Sequence, residues 1–320
     1  MQRKLFFSIP LFTMSNHFRQ SLQASLASAL LVLKLVIPFY ILADILLYFD
    51  LLRPVSFIFS PVTTILQLPA ETAMAICAGV FLNIYAAVAF AAPLGLSSYE
   101  WTILGVFLGV CHSLPVENSI MKKLGISFLY STLLRVSMAF LTTFPLFLLP
   151  DSFFTGKSSG KSIEITAYLS VMEMLLHALI NAAILSAKII CLITAIIFLM
   201  DWLKRTQFIM NYGQRVQTSF SLLAGQLLGI TYGAGILFKE ADSGNLEKKD
   251  ILFIGTFLMI CHSLLEDPLL FVLFGANYWV IVVSRLVMAC VVTFLISRFF
   301  RAREKNTIKK ITHNPPVLHP

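Results

Sequence analysis

Long apolar stretches dominate this sequence and restrict what it can fold into. A helix needs about 20 apolar residues to cross a bilayer, and eight stretches reach or approach that length. They lie at about 22–50, 70–94, 101–121, 126–149, 165–201, 217–238, 251–272 and 277–298. Only 12% of the residues are charged, and the mean hydropathy is +0.84. A soluble domain cannot bury this much apolar surface, so the sequence predicts an all-α polytopic membrane protein with about eight transmembrane helices.

The net charge of +8 is concentrated near the two ends of the chain. Basic residues directly follow the last apolar stretch and also occur near the N-terminus: Arg298, Arg301, Arg303, Lys305, Lys309, Lys310, Arg3, Lys4 and Arg19. Lys and Arg collect on the cytoplasmic side of membrane proteins. We therefore expect a multi-pass protein of the cell inner membrane with both termini in the cytoplasm, in contact with the lipid bilayer and with no nucleic-acid partner.

An internal repeat is the sharpest signal in the chain. Shifting the sequence by 150 positions places GVFLGVCHSLPVEN (105–118) on GTFLMICHSLLEDP (255–268), with 13 identities over 40 ungapped positions. This predicts two homologous halves. The expected organisation is an N-terminal cytoplasmic segment, repeat 1, a linker, repeat 2 and a basic cytoplasmic tail, at 1–20, 21–150, 151–164, 165–300 and 301–320.

Ionisable residues inside apolar stretches recur as pairs across the repeat. Each costs at least about 2.5–3.5 kcal/mol to place at the centre of a span, so such residues usually face one another or a wet cavity. The candidates for a substrate or proton path are His112, Glu117, His262, Glu266, Asp267, Lys34, Lys188, Asn83, Tyr85 and Tyr232. Histidine, with an ordinary pKa near 6.5, suits proton coupling, although it also bridges helices by hydrogen bonds.

The spacing of these residues leads to three geometric expectations. Glu117 precedes Arg135 by the same interval that separates Asp267 from Arg285, which predicts structural ion pairs at both arginines. Pro115 is expected to break its helix just after His112. On a continuous helix, His262 and Glu266 would share one face.

The CHSLPVEN and CHSLLEDP segments, each followed by a Gly and a helix with an internal Arg, resemble the nucleoside recognition (Gate) domain of membrane proteins. A Lys-bearing first helix in each half strengthens the resemblance, which covers nearly the whole chain as two copies. The resemblance implies inverted halves, whereas an even number of spans per half favours parallel ones. It implies no single substrate, since the domain occurs in sporulation membrane proteins, concentrative nucleoside transporters and the ferrous-iron transporter.

Two polar or proline-rich segments leave the topology open. The segment 51–69 is either re-entrant or an extra span, and 202–216 is expected to be an amphipathic surface connector. No nucleophile–base pattern, phosphate loop or HExxH motif occurs, so the sequence indicates no enzyme and no cofactor. The five cysteines lie in apolar stretches without a CxxC spacing, and adjacent Cys–His residues diverge on a helix, so no metal site is predicted.

The sequence therefore favours a transporter or permease for a small polar solute, including nucleoside-like molecules. A non-transporting scaffold or assembly factor, like the sporulation members, is the first alternative. A divalent-metal transporter is the second. The sequence is compatible with a homo-oligomer or with a second membrane subunit as partner.

Overall fold

The computed structural model describes residues 11–154, 168–204 and 246–313. Its regular structure in these ranges is entirely helical, as the sequence predicted. The helices are α1 (Leu11–Tyr48), α2 (Leu52–Ile65), α3 (Ala73–Phe81), α4 (Ile84–Ala91), α5 (Ser98–Cys111), α6 (Leu114–Lys123), α7 (Phe128–Thr143), α8 (Val171–Lys204), α9 (Lys248–Ile260), α10 (Glu266–Val272) and α11 (Tyr278–His313). The predicted span at 217–238 and most of the segment 202–216 lie outside the described residues.

Five helical segments of the described chain are long and apolar enough to cross a membrane. They are Phe18–Tyr48, Ser98–Lys123, Phe128–Leu148, Val171–Trp202 and Tyr278–Arg298. These correspond to five of the eight predicted spans. A polytopic membrane protein is thus confirmed, although the predicted count of eight is not reached within the described residues.

The segment made by α9 and α10 runs beside the span of α5 and α6 in two pieces. At one end, Trp101 at the start of α5 stacks on Phe274 just after α10, with ring centroids 4.3 Å apart. At the other end, Ile126 just after α6 lies in the same buried cluster as Leu246 just before α9. The pair α9–α10 therefore covers the same depth as α5–α6 and runs in the opposite direction.

The predicted span at 70–94 is wrong, because this stretch forms a hairpin of two short helices. Helices α3 and α4 contain nine and eight residues, about 12–14 Å each, and neither can cross alone. The chain breaks at Leu82, and the side chain of Asn83 accepts a hydrogen bond from the backbone N–H of Ala86 at 3.0 Å, capping α4. Most side chains of both arms are buried inside the protein, whereas Phe81 at the end of α3 is exposed.

The hairpin opens on the side of the membrane where α1 ends. Phe39 in the last third of α1 packs against Phe90 in α4, with centroids 5.5 Å apart. Tyr99 at the start of α5 donates a hydrogen bond to Gln67, which follows α2. Since α2 begins and ends at this side, and the chain bends by 108° between it and the hairpin, the segment 51–69 does not cross.

The two halves are inverted relative to each other. Helices α1 and α8 pack antiparallel, since Ser21 bonds Asp201 at one end and Tyr48 packs against Tyr168 at the other. The contacts that α5 makes with the second half match those that α9 makes with the first half. A methyl group added at Gly105 would lie 3.0 Å from Phe271. A methyl group added at Gly255 would lie 3.7 Å from Met121, which is the counterpart of Phe271 in the repeat.

Three crossings in the first half, by α1, α5–α6 and α7, explain this inversion. An odd number of crossings places the second half upside down in the membrane, and the described part of that half, α8, α9–α10 and α11, repeats the same three. The chain consequently starts α1 and leaves α11 on the same side. Helix α5 lies at the centre, buried on all faces from Trp101 to Cys111.

Candidate functional site

Both broken crossings interrupt their helices at the same position of the repeat. Helix α5 ends at Cys111 and α6 begins at Leu114, while α9 ends at Ile260 and α10 begins at Glu266. The two serines that follow the histidines, Ser113 and Ser263, adopt left-handed backbone conformations with φ of 49° and 50°. Such a conformation is costly for a residue with a Cβ and ends a right-handed helix.

Pro115 does not cause the break, contrary to the expectation from the sequence. The equivalent position in the second half is Leu265, and the helix is broken there as well. Pro115 lies in the first turn of α6, where a missing backbone N–H costs little. A consequence of the second break is that His262 and Glu266 do not share a helix face, so that expectation is wrong too.

Two buried arginines bond the carbonyl groups that the breaks leave without helical partners. Arg135 donates from Nε to the Val110 oxygen and from Nη2 to the His112 oxygen, both at 2.8 Å. Arg285 makes the equivalent bonds to the oxygens of Ile260 at 3.4 Å and His262 at 2.7 Å. Both side chains are completely buried. Each guanidinium therefore stabilises one helix break.

The same arginines face the acids of their own halves, as the sequence spacing indicated. Nη1 of Arg135 lies 2.7 Å from Oε2 of Glu117. Nη1 of Arg285 lies 3.7 Å from Oδ2 of Asp267, beyond hydrogen-bond distance. The shorter aspartate side chain leaves this gap, so the two halves are chemically similar but not equivalent.

The two histidines hold their rings in one orientation by the same bond. Nδ1 of His112 lies 2.8 Å from the Leu108 oxygen, and Nδ1 of His262 lies 2.9 Å from the Leu258 oxygen. Because a carbonyl oxygen only accepts, Nδ1 carries the hydrogen in each ring. In the neutral imidazole, Nε2 then presents a lone pair to its surroundings.

Both Nε2 atoms point to the Glu117 carboxylate, and we call His112, Glu117 and His262 the central cluster. Nε2 of His112 lies 3.1 Å from Glu117 Oε1, and Nε2 of His262 lies 3.5 Å from Oε2. The ring centroids are 5.2 Å apart, and one ligand atom from each residue lies within 4.8 Å of the others. All three side chains are buried, with exposed fractions of 9% or less.

The hairpin tip contacts the first break directly. The backbone N–H of Ser113 donates to the Gly79 oxygen at 2.8 Å, and its hydroxyl donates to the Leu82 oxygen at 3.1 Å. Two residues beyond Asn83, the Tyr85 hydroxyl donates to Glu266 of the other half. The hairpin therefore links both halves next to the central cluster.

Several residues predicted for the site are not brought to it. Lys34 on α1 and Lys188 on α8 are exposed, so their equivalent depths do not place them in the buried cluster. Asn83 caps α4, and Tyr232 lies outside the described residues. Two further buried polar side chains were not predicted from the sequence: Asp44 in α1, and Asn118, which donates to Thr132 at 2.8 Å. Their signal was a polar side chain within an apolar stretch.

Acids outnumber arginines around the cluster. Glu117 and Asp267 face Arg135 and Arg285, and Glu266 accepts a hydrogen bond from Tyr85. With all three carboxylates ionised and both imidazoles neutral, this group carries one net negative charge. A buried site of this kind favours a bound cation.

Comparison with known proteins supports the membrane assignment. The chain is similar to the uncharacterized membrane protein YvoD of Bacillus subtilis (strain 168), with 27% identity over 309 residues, covering 93% of this chain and 99% of that protein. No protein-family model and no solved structure matches. The resemblance to the Gate domain thus has no support from a family model, whereas a multi-pass membrane protein fits both the relative and the fold.

Proposed function

We propose that this protein is a transporter that moves a small polar or charged solute across the membrane by alternating access. The observation that carries the proposal is the meeting of two oppositely oriented, broken helices at His112 and His262. Inverted repeats with discontinuous helices are a common transporter architecture, in which the site lies near the bilayer midplane between the repeats. The central cluster lies between the two repeats, at the breaks of both helices, and this supports the proposal.

Two contacts join the halves at opposite ends of their interface. In alternating access, one of these contacts would break while the other stays formed. At one end, the Asn277 backbone N–H bonds the Thr102 hydroxyl at 2.9 Å. At the other end, the hydroxyls of Tyr130 and Thr256 lie 2.9 Å apart. Both contacts are formed here, which supports a state that is closed toward both sides of the membrane.

The sequence indicates a small polar solute, with nucleoside-like molecules among the candidates, and the dimensions of the cluster restrict where a nucleoside binds. The ligand atoms are at most 4.8 Å apart, which accommodates an ion but no sugar or base. A separate cleft of about 550 Å³ lies between α11 and the segment that follows α7, and apolar side chains such as Leu146, Val283 and Val287 form most of its lining. That lining suits a lipid chain. A nucleoside would therefore require the halves to separate.

A membrane scaffold is the second candidate, and Arg135 favours it. All three of its guanidinium nitrogens face partners inside the protein, as in a structural lock between helices. Against it stand the 3.7 Å gap between Arg285 and Asp267 and the buried Nε2 of His262, which has no hydrogen-bond partner among the described residues. A static scaffold gains nothing from these unfilled groups.

We place the protein in the inner membrane with both termini cytoplasmic. The supporting facts are that α1 starts and α11 ends on the same side, and that basic residues such as Arg19 and Arg298 lie there.

Uptake into proteoliposomes tests the proposal. The solute panel contains nucleosides and, separately, divalent cations. In a chain without its five cysteines, the pairs Thr102→Cys with Asn277→Cys and Tyr130→Cys with Thr256→Cys are joined by a bifunctional maleimide. Each cross-link should abolish uptake, while a monofunctional maleimide on the same variants should not. Uptake that persists with both cross-links contradicts alternating access, and no uptake of any solute favours the scaffold.

A further inference from the structure

We propose that the central cluster binds one divalent first-row transition-metal ion, held by Nε2 of His112, Nε2 of His262 and the carboxylate of Glu117. This site joins the two halves of the protein and does not depend on whether the protein transports a solute. Its ligands come from positions that no motif in the sequence identifies as a metal site.

Ligand geometry is the first support. Metal–ligand distances of about 2.0–2.2 Å to nitrogen and oxygen place two ligands of one ion roughly 3.0–3.6 Å apart. Nε2 of His112 lies 3.1 Å from Oε1 of Glu117, and Nε2 of His262 lies 3.5 Å from Oε2. One ligand atom from each of the three residues lies within 4.8 Å of the others. Small movements of the three side chains are enough to complete the site.

Orientation of the imidazoles is the second support. A histidine that ligates a metal through Nε2 almost always donates its Nδ1 hydrogen to a carbonyl or carboxylate, which fixes the ring. Leu108 and Leu258 supply these carbonyl oxygens at 2.8 and 2.9 Å. Arg135 in turn fixes the Glu117 carboxylate at 2.7 Å. All three ligands are thus held before an ion arrives.

An unpartnered buried atom is the third support. The side chain of His262 is 98% buried. Its Nε2 atom is inaccessible to solvent and has no hydrogen-bond partner in the described part of the chain. It points at Glu117, whose oxygens can only accept when ionised. Acceptors that face each other in a buried space are stabilised by a cation between them, either a proton or a metal ion, and the acids around the cluster favour one.

Ligand chemistry selects the class of ion. Two imidazoles and a carboxylate suit Zn²⁺, Fe²⁺, Co²⁺, Mn²⁺ or Ni²⁺, whereas Mg²⁺ and Ca²⁺ prefer oxygen ligands alone. The neighbouring thiols of Cys111 and Cys261 are not part of the ligand group. Three protein ligands leave at least one coordination position open, as in metal sites that exchange a ligand rather than in closed structural sites.

Cobalt binding to the purified full-length protein tests the site. The protein in detergent is stripped with a chelator and titrated with Co²⁺, and the visible d–d absorption and the bound metal per chain are measured. We expect one tightly bound ion per chain, displaced by Zn²⁺. His262→Gln and Glu117→Gln should weaken Co²⁺ binding at least about tenfold. Even the loss of a residue that only hydrogen-bonds a ligand lowers metal affinity about 10–100-fold. His177→Gln, at an exposed histidine of α8, should bind like the wild type.

Two results would overturn the proposal. One is a wild-type protein that shows neither the cobalt absorption nor a rise in Tm with Zn²⁺. Both of these measurements need no variant. The other is a folded His262→Gln protein, judged by a monodisperse gel-filtration peak, that binds Co²⁺ as tightly as the wild type. Either result leaves the transport proposal standing, because uptake of nucleosides and the effect of the cross-links are measured without added metal.

Discussion

His112 and His262 are 150 positions apart in the sequence, and their imidazole rings lie 5.2 Å apart. In an inverted repeat, equivalent residues meet only where they lie near the pseudo-two-fold axis. Trp101, for example, is far along its helix from the axis and stacks on Phe274, which is not its counterpart. The axis therefore passes close to the two histidines, so any ligand on the axis contacts both halves at once.

Arg135 is the side chain whose loss should cost most stability. Its guanidinium bonds two backbone carbonyls and Glu117, and Arg135→Ala leaves a buried carboxylate and two carbonyls without these partners. We expect a loss of about 3–5 kcal/mol in the free energy of unfolding. Arg135→Lys should recover part of it, because an ammonium keeps the ion pair but not the planar set of bonds.

Thermal unfolding in detergent measures this effect. Lys188→Ala, which removes an exposed charge from α8, serves as the control and should change Tm far less. Equal Tm values for Arg135→Ala and the wild type would mean that Arg135 does not stabilise the break.

Tyr85 and Glu266 should show a coupling energy across the two halves. The hydroxyl of Tyr85 donates to Glu266, and the Tyr85→Phe change leaves the carboxylate without this donor. We expect each single change, Tyr85→Phe and Glu266→Gln, to be destabilising, with a coupling of about 1.5–3 kcal/mol for a hydrogen bond to a charged group. A double-mutant cycle on unfolding free energies measures it. Additive effects would show that the hairpin does not hold the second half through this bond.

Ser263 should tolerate glycine and reject valine. Its φ of 50° is readily adopted by glycine but unfavourable for a β-branched residue. We expect Ser263→Gly to leave stability unchanged or slightly raised, and Ser263→Val to lower it by at least about 1–2 kcal/mol. The comparison uses Tm values and expression yield. If valine were as stable as glycine, the left-handed conformation would not be needed for the break.

The sequence predicted the pairing of the histidines because the repeat is visible as identical residues. It also predicted the acid–arginine pairs, since their equal spacing survives in both halves. It could not predict the direction of the second half, because an apolar stretch indicates depth in the membrane without indicating the route of the chain. The same holds for Lys34 and Lys188. Their positions in the repeat indicate a depth in the membrane, but they do not indicate whether the side chain lies on the buried or the exposed face of its helix.

The hairpin at 70–94 was missed for a related reason. Its arms are apolar because they are buried in protein, and hydropathy does not distinguish this environment from lipid. Asn83 was the available signal, because a helix-capping residue within an apolar stretch marks a helix start. The sequence predicts the break after His112 at the right position, but Leu265 stands at the position equivalent to Pro115, so proline is not its cause.

Side-specific labelling of single cysteines distinguishes the hairpin from the predicted span. If 70–94 crossed the membrane, Gln67 and Asp151 would lie on opposite sides. In the structure, Gln67 accepts a hydrogen bond from Tyr99, and Tyr99 packs against Phe154, so both ends lie on one side. Gln67→Cys and Asp151→Cys, both at exposed positions, should therefore react with a membrane-impermeant maleimide from the same side, and Lys123→Cys from the other. With intact cells and inverted vesicles, the cytoplasmic placement of the termini further predicts that Lys123→Cys reacts only in the vesicles. Labelling of Gln67→Cys and Asp151→Cys from opposite sides would show that 70–94 crosses, and with it the inverted arrangement of three crossings per half would fail.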